Sequence, residues 1–257
     1  MLNELRALYR TSLVSQDTPK CRFPETLIFN EGWLLRSVLN GWLGESGGSR
    51  FGFLPFPPGV TCYSEGQLYT PFKPGSHREG NTHVDGIVGD FSMTDTKSGI
   101  RLNPDLRYIA AFEAKLYSPL SADVTYAPGY DQLSRTAACL ISSILGAAPT
   151  SDYSAHLVVV RAQDNRHIDP AKYGKDHIEQ KIADRLRSFL AASERTPVIE
   201  RFTAGWKEVF ERLRLHHLTW EEVVADLSDD RLSRFYDLCN EFARPGRQQP
   251  ANTPHPS

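Results

Sequence analysis

The chain contains few cysteines and no long hydrophobic run. The cysteines are Cys21, Cys62, Cys139 and Cys239. They lie far apart and form no CxxC pair, which argues against a structural zinc site and against a disulfide framework. No segment reaches the roughly 18 consecutive apolar residues of a membrane-spanning helix, and the opening MLNELRALYR lacks the pattern of a signal peptide. We therefore expect a cytoplasmic protein with reduced thiols and no membrane association.

An excess of positive charge is also lacking. The 29 Lys and Arg residues are outnumbered by 31 Asp and Glu residues, which gives a formal net charge of -2. Contact with nucleic acid would therefore require a local basic patch. The sequence also lacks GxxxxGK[ST], GxSxG, HExxH, and GxGxxG after a strand, which argues against the common nucleotide-triphosphate, serine-hydrolase, zinc-protease and dinucleotide sites. ATP-driven work would need a partner.

The length of 257 residues suits one core with a small appendage. In the second half of the chain, apolar residues recur every four positions, which is typical of amphipathic helices. These residues are Ile178, Ile182, Leu186 and Leu190. We predict a core with N-terminal helices over residues 1–165, a C-terminal helical extension over 166–245 and a disordered tail over 246–257.

The first 165 residues predict alternating helices and strands. Leucines at helical spacing indicate a helix over residues 2–14, and Asn30 is a suitable cap for a second helix that ends near Leu43. Residues 44–82 are rich in Gly, Pro and aromatics, which favours irregular structure that can include one hairpin. A strand, a central strand, a helix and a further strand then follow in the segments THVDGIVGDF, DLRYIAAFEAKL, PGYDQLSRTAACLISSIL and SAHLVVVRA.

Glu113 and Lys115 are the first candidates for chemistry. An acid followed two positions later by lysine occurs three times, but the matches that start at Asp95 and Glu179 lie in a turn and on a helix. On a strand, alternate side chains share one face, so the Glu113 carboxylate and the Lys115 ammonium project together. Mg²⁺ prefers oxygen ligands from one or two carboxylates, waters and a phosphate. Glu113 can supply one of them, and the backbone carbonyl of Ala114 is a candidate for another.

Asp85 is favoured as the second metal-binding acid. It lies 28 positions before Glu113, which leaves room for a strand, a turn and the return strand, and Gly86 would let a phosphate come close. Asp105 is the rival. However, it precedes the same strand as Glu113, and eight residues at about 3.3 Å each would place the two about 26 Å apart. Asp90 is a weaker candidate than either.

Four features of the sequence occur in an order that is shared by one superfamily. They are Glu31 on an early helix, Asp85 before a glycine, FEAK on a central strand and YDQLSR on the next helix. Over residues 28–162 this pattern resembles the PD-(D/E)XK nuclease superfamily, although Val84 replaces the proline expected before the aspartate. The resemblance implies a three-layer α/β/α restriction-endonuclease-like core with a mixed central sheet, to which the C-terminal helical extension is added.

The resemblance also implies roles for individual residues. The metal-binding and catalytic set would be Asp85, Glu113 and Lys115. Glu31 would be an accessory acid near the metal, and Gln132 with Arg135, three positions apart on one helix face, would face the site. The expected cofactor is Mg²⁺, for which Mn²⁺ can substitute. The metal would neutralise phosphoryl charge and help to generate hydroxide, while Lys115 would hold the attacking water.

The expected substrate is nucleic acid, DNA rather than RNA, in a reaction that hydrolyses phosphodiester bonds. The resemblance suggests a role in bacterial defence or restriction, with a homodimer or an activating partner protein as possible assemblies. The main alternative is a catalytically silent nucleic-acid-binding or interaction module that keeps the nuclease fold. A third hypothesis is a metal-dependent hydrolase of small phosphoesters.

Each candidate also has an ordinary structural explanation. Glu113 and Lys115 could form an ion pair at a strand end, Glu31 could be a solvated helix acid, and the helix-borne Gln-Arg pair could bond to the backbone. His216 and His217 suggest a metal site, but neighbours on a helix diverge, so we expect ordinary helix surface or packing for this pair.

Overall fold

The computed structural model describes residues 29–44, 50–51, 54–73, 78–94, 98–123, 127–150, 152–192 and 195–244. The helix predicted over residues 2–14 and the tail predicted over 246–257 lie outside these segments. The helices within them are α1 (Glu31–Gly44), α2 (Gln132–Ala147), α3 (Lys175–Ala192), α4 (Pro197–Arg212), α5 (Trp220–Leu227) and α6 (Asp230–Ala243). In the described part of the chain, no helix combines the length and the apolar character that a membrane crossing requires.

The strands are β1 (Arg50–Phe51), β2 (Leu54–Pro55), β3 (Thr61–Leu68), β4 (Thr82–Gly89), β5 (Phe91–Met93), β6 (Ile100–Leu102), β7 (Tyr108–Lys115), β8 (Ser154–Arg161) and β9 (Leu213–Thr219). Five of them form a central sheet in the order β3-β4-β7-β8-β9. The first three are antiparallel neighbours, and β7, β8 and β9 are parallel. The sheet is therefore mixed, as the sequence predicted.

Apolar clusters cover both faces of the central sheet. One cluster joins the sheet to α2, α3 and α4, and the other joins it to α1, α5 and α6. Strand β7 contributes to both, since its residues from Tyr108 to Ala114 are all buried, which explains why its sequence reads as a nearly continuous apolar run. The three-layer α/β arrangement expected from the sequence agrees with this structure.

The C-terminal region is not purely helical, which corrects the prediction for residues 166–245. Strand β9 extends the central sheet by pairing in parallel with β8, and α3 and α4 pack into the same cluster as α2. His216 and His217 lie on this strand rather than on a helix, so they face opposite sides of the sheet. His216 Nε2 lies 3.0 Å from His156 Nδ1, and His217 Nε2 lies 3.1 Å from the Tyr173 carbonyl oxygen.

The C-terminal region also holds the end of the central strand. Trp220, which is fully buried, donates from its indole nitrogen to the backbone carbonyl of Lys115 at 3.1 Å. Asn165 donates to the carbonyls of Leu116 and Ser118 at 2.8 and 3.2 Å. These contacts satisfy backbone acceptors where β7 leaves the sheet, and they fix the position of Lys115 from the C-terminal side.

The segment predicted as irregular contains more structure than one hairpin. The short strands β1 and β2 pair with each other, and β3 forms an edge of the central sheet, next to β4. The sequence of β3, TCYSEGQL, gave little indication of a strand because its first half is only partly buried or exposed. Edge strands need no continuous apolar face, so such strands are difficult to detect from hydrophobic pattern alone.

A buried ion pair connects α3 to the segment that enters β4. The carboxylate of Glu79 (1% exposed) contacts the guanidinium of Arg185 (5% exposed), and it also accepts from Thr70 Oγ1 at 3.3 Å. The Arg185 guanidinium lies over the rings of Phe72 and Phe189, with distances to the centroids of 4.9 and 5.5 Å. The charge pair is therefore enclosed by aromatic packing, and loss of one partner would leave a buried charge.

Replacement of Arg185 by methionine should destabilise the fold by about 3 kcal/mol, because Glu79 would remain buried with only the more distant Arg135 guanidinium, at 3.9 Å, as a cationic neighbour. The double variant Glu79→Gln/Arg185→Met should recover most of this loss. Urea denaturation followed by circular dichroism measures both effects. Arg187→Met is the matched control, since its ion pair with Asp184 is exposed and should contribute no more than about 1 kcal/mol. Equal losses for Arg185→Met and Arg187→Met would contradict the interpretation.

Candidate active site

The candidate site lies where β4 and β7 separate. Their last paired residues are Gly86 and Phe112, and Asp85 is the first residue of β4 beyond this pair. Its Oδ2 accepts from the backbone nitrogen of Ala114 at 2.7 Å and from Lys115 Nζ at 3.4 Å. The Asp85 side chain thus takes the place of the backbone partner that β7 would otherwise have in the sheet.

The rival acids lie elsewhere. Asp105 is exposed in the turn before β7, at the opposite end of the strand from Lys115. Asp90 is engaged by the Arg107 side chain at 2.8 Å and by the backbone nitrogens of Arg107 and Tyr108 at 2.9 and 3.1 Å, and these contacts with Arg107 and Tyr108 lower its pKa against the opposing effect of burial. Of the three aspartates considered, the structure brings Asp85 to Glu113 and Lys115.

Glu113 is completely buried, and both of its carboxylate oxygens are held by α2. Gln132 Nε2 donates to Oε2 and Thr136 Oγ1 donates to Oε1, each at 2.7 Å, while Lys115 Nζ lies 3.9 Å from Oε2. Burial, together with the negative charge of Asp85, raises the pKa of Glu113 to about 8. One ammonium group does not offset two neighbouring carboxylates, so without a further cation Glu113 holds a proton near neutral pH.

Helix α2 positions these contacts from its first turn. Asp131 caps the helix by accepting from the backbone nitrogen of Ser134 at 2.9 Å, so that Gln132 is the first helical residue. Thr136 lies four positions later and therefore on the same helix face. Sequence reasoning identified Gln132 but missed Thr136, although the four-residue spacing was a usable signal.

Arg135 does not contact the candidate site, which departs from the expectation that it faces the site with Gln132. Its Nη2 donates to the carbonyls of Gly80 and Asn81 at 2.6 and 2.8 Å, and its Nε lies 3.9 Å from the buried carboxylate of Glu79. The long side chain reaches past the face on which Gln132 lies and supports the backbone that leads into β4.

Two further acids contribute negative charge. Burial lowers the pKa of Lys115, but Asp85, Glu113 and Glu31 together more than offset this effect and raise it, so that Lys115 is an ammonium group. Glu31, the first residue of α1, thus belongs to the electrostatic surroundings of the site, and its role as an accessory acid stays a prediction. Glu65 on β3 has a positive φ of 58°, and its charge adds to the rise in the pKa of Glu113. Sequence reasoning missed Glu65 because β3 was not recognised as a strand.

Gly86 serves helix packing rather than the approach of a phosphate. A Cβ atom at this position would lie 2.8 Å from Leu35 Cδ2 and 3.2 Å from Leu39 Cδ1. Both leucines belong to α1 and are fully buried. The absence of a side chain at Gly86 therefore lets α1 pack closely against β4, and this contact places Glu31 near the point where the strands separate.

The residues at this point suit a hard divalent cation. Asp85 and Glu113 supply carboxylate oxygens, and the backbone carbonyl of Ala114 faces the same gap, since the N–H and C=O of one strand residue lie on the same edge and the N–H donates to Asp85. Mg²⁺ usually takes one or two carboxylates and keeps several waters, so this donor set is sufficient for it. Within the described segments there is no group of three or more His, Cys, Asp or Glu residues with the arrangement of a metal site, so a cation here would depend on the Ala114 carbonyl and on water.

No protein family, no curated protein and no solved structure matches this chain. The resemblance to PD-(D/E)XK nucleases therefore depends on the site itself: on the order of its elements and on the contacts among Asp85, Glu113 and Lys115. The roles predicted for these residues remain predictions.

The raised pKa of Glu113 makes a prediction for the metal-free protein. Between pH 6.5 and 8 the folded protein holds a proton on Glu113 that the unfolded chain, with a pKa near 4.5, has released. Stability should therefore fall as pH rises through this range, and Glu113→Gln should remove this part of the decrease. Thermal melts in EDTA from pH 6.5 to 8.5 measure the effect.

The thermal melts begin at pH 6.5 because a buried histidine affects stability at lower pH. Burial lowers the pKa of His156 to about 4, which gives an opposite pH dependence below that range. Identical pH dependences of wild type and Glu113→Gln above pH 6.5 would show that Glu113 titrates normally and would contradict the account of the site.

Proposed function

We propose that this protein is a metal-dependent nuclease that hydrolyses phosphodiester bonds of nucleic acid, DNA more than RNA. The observation that carries the proposal is the convergence of four groups where β4 and β7 separate: the carboxylates of Asp85 and Glu113, the carbonyl of Ala114 and the ammonium of Lys115. This combination offers oxygen ligands to a cation and a positively charged donor to a phosphate, side by side.

The chain's own residues have separate tasks in this proposal. Asp85, Glu113 and the Ala114 carbonyl would hold Mg²⁺ or Mn²⁺, which when bound lowers the pKa of coordinated water and neutralises phosphoryl charge. Lys115 Nζ orients the attacking water and donates to the phosphate oxygens as negative charge develops. Its position is fixed from both sides, by Asp85 at 3.4 Å and by the Trp220 contact to its own carbonyl.

Gln132 and Thr136 support this arrangement without contacting substrate. By donating to both oxygens of Glu113, they stabilise its charged form and fix its orientation. Glu31 and Glu65 add negative charge that attracts a cation from solvent. The site has two carboxylates for one ammonium group, and a bound cation would displace the proton of Glu113 and supply the missing positive charge.

The preference for DNA and a role in bacterial defence follow from the resemblance to PD-(D/E)XK nucleases and form part of the same proposal. The cytoplasm, where nucleic acid is accessible and the three described cysteines would remain the free thiols they are here, is the compartment that suits it. A single site of this kind cuts one strand at a time, so two copies of the chain or a partner protein would let both strands be cut together.

Purified protein should cleave plasmid and linear DNA in Mg²⁺ or Mn²⁺ and should be inactive in EDTA. Asp85→Asn, Glu113→Gln and Lys115→Met should each lower the rate by roughly 100-fold or more, since each 1.4 kcal/mol of lost transition-state stabilisation costs about tenfold. Asp105→Asn, which changes an exposed acid outside the site, is the control and should retain full activity. Gel assays of initial rates measure all four variants.

Activity that persists in EDTA, or full activity of Glu113→Gln, would refute the proposed site. Tight binding of DNA without cleavage in any metal, on a panel of plasmid, linear and single-stranded substrates, would favour the silent binding module.

A further inference from the structure

The side of β3 and β4 that carries Asp85 presents a row of polar side chains. On β4, exposed His83 and half-buried Asp85 alternate with buried residues. On β3, exposed Glu65 and half-buried Gln67 lie on either side of buried Gly66. Gln67 lies opposite His83 in the strand pairing, and Glu65 and Asp85 lie between the flanking pairs Ser64–Gly86 and Gly66–Val84. Val84 and Leu68 pack into the cluster that contains α2, so His83 and Gln67 face the side of the sheet that carries α1, opposite to the Glu113 side chain. They meet the candidate metal site at Asp85, where β4 separates from β7.

A chain of hydrogen bonds joins these side chains in a single direction. Lys73 Nζ donates to Asn81 Oδ1 at 2.7 Å, and Asn81 Nδ2 donates to Gln67 Oε1 at 3.2 Å. Gln67 Nε2 lies 3.0 Å from His83 Nε2. Since an amide nitrogen can only donate, His83 Nε2 is the acceptor, and His83 Nδ1 donates to the carbonyl of Glu65 at 3.3 Å. This series of hydrogen bonds ends at the Glu65 carbonyl, close to Asp85.

The donor-to-acceptor direction of these hydrogen bonds determines which groups remain available to a ligand. Each amide oxygen already accepts within the chain, whereas each amide nitrogen has a second hydrogen and the ammonium of Lys73 has two more. Lys73, Asn81 and Gln67 thus present donors and one positive charge to solvent, while exposed Glu65 places a negative charge at the end nearest Asp85. An anion with several oxygens, such as the phosphodiester groups of a polynucleotide, is the complementary ligand.

The length of the row favours a polymer over a small phosphoester. Asn81 lies four residues before Asp85, which corresponds to about 13 Å along an extended strand. A nucleic-acid strand carries one negative charge for about every 3.4 Å of duplex axis, so more than one phosphate would fit along this distance. A small phosphoester bound at Asp85 and Glu113 would not reach Asn81 or Lys73.

We infer that the row formed by Lys73, Asn81 and Gln67, with His83 holding the Gln67 amide in place, binds the phosphate backbone of the substrate strand on one side of the scissile bond. This inference rests on the proposed nuclease function and names the surface that receives its substrate. It also gives Arg135 a role as a positioning residue, because its bonds to the carbonyls of Gly80 and Asn81 fix the backbone beneath the row.

The test is the binding of fluorescein-labelled 20-nucleotide DNA and RNA of the same sequence to the full chain in EDTA, followed by fluorescence anisotropy at several salt concentrations. Lys73→Met/Gln67→Leu should weaken binding about tenfold or more, and Lys73→Met should reduce the salt dependence by about one counterion. Lys73→Arg should restore that salt dependence, which a merely structural effect would not do. A larger loss with DNA than with RNA, or the reverse, identifies the polymer.

Gln180→Leu/Lys207→Met is the matched control, because it makes the same two changes at exposed positions on α3 and α4 and should bind as wild type does. Wild-type affinity and salt dependence in Lys73→Met/Gln67→Leu would overturn the inference, even if the wild type cleaves DNA in Mg²⁺. Conversely, weakened binding in this variant together with a wild type that is inert in every metal would support the row and refute the nuclease proposal, so the two failures are distinguishable.

Discussion

The candidate site depends on one hydrogen bond where β4 and β7 separate. There the Asp85 side chain accepts from the Ala114 backbone in place of a strand partner. After Gly86 and Phe112, β4 no longer pairs with β7, and the Asp85 carboxylate accepts the Ala114 N–H in place of a backbone carbonyl. The same bond turns the Ala114 carbonyl toward the gap, draws Lys115 to 3.4 Å and brings a second carboxylate close to buried Glu113. The backbone thus supplies one oxygen, the Ala114 carbonyl, and the side chains of Asp85 and Glu113 supply the others.

The electrostatic cost of this arrangement explains the surrounding scaffold. A fully buried carboxylate beside another acid is unfavourable unless hydrogen bonds and positive charge offset it. Helix α2 supplies two donors to Glu113, and Trp220 and Asn165 hold the end of β7 from the C-terminal region. The donors and Lys115 offset only part of the charge, since the pKa of Glu113 remains near 8. In the proposed function, a divalent cation would displace the proton of Glu113 and supply the missing positive charge.

Sequence reasoning succeeded where the pattern was local. The buried run of β7, the two-residue spacing of Glu113 and Lys115 and the position of Asp85 on a preceding strand all follow from strand periodicity. It failed for β9, where LRLHHLT continues from an amphipathic helix without a break in composition, and for β3, whose exposed edge carries Glu65. Arg135 shows a different limit: helix spacing placed it on the face of Gln132, but only the fold shows that its long side chain bonds to Gly80 and Asn81.

The measurement that tests the central claim most directly is the binding of Mn²⁺, followed by the loss of the free-ion signal in electron paramagnetic resonance, for wild type, Asp85→Asn and Glu113→Gln. The account predicts that one Mn²⁺ binds to the wild type, that Mg²⁺ displaces it, and that either substitution abolishes it. Unchanged binding of Mn²⁺ to both variants, or no binding to the wild type at millimolar concentration, would show that these two carboxylates do not form a metal site.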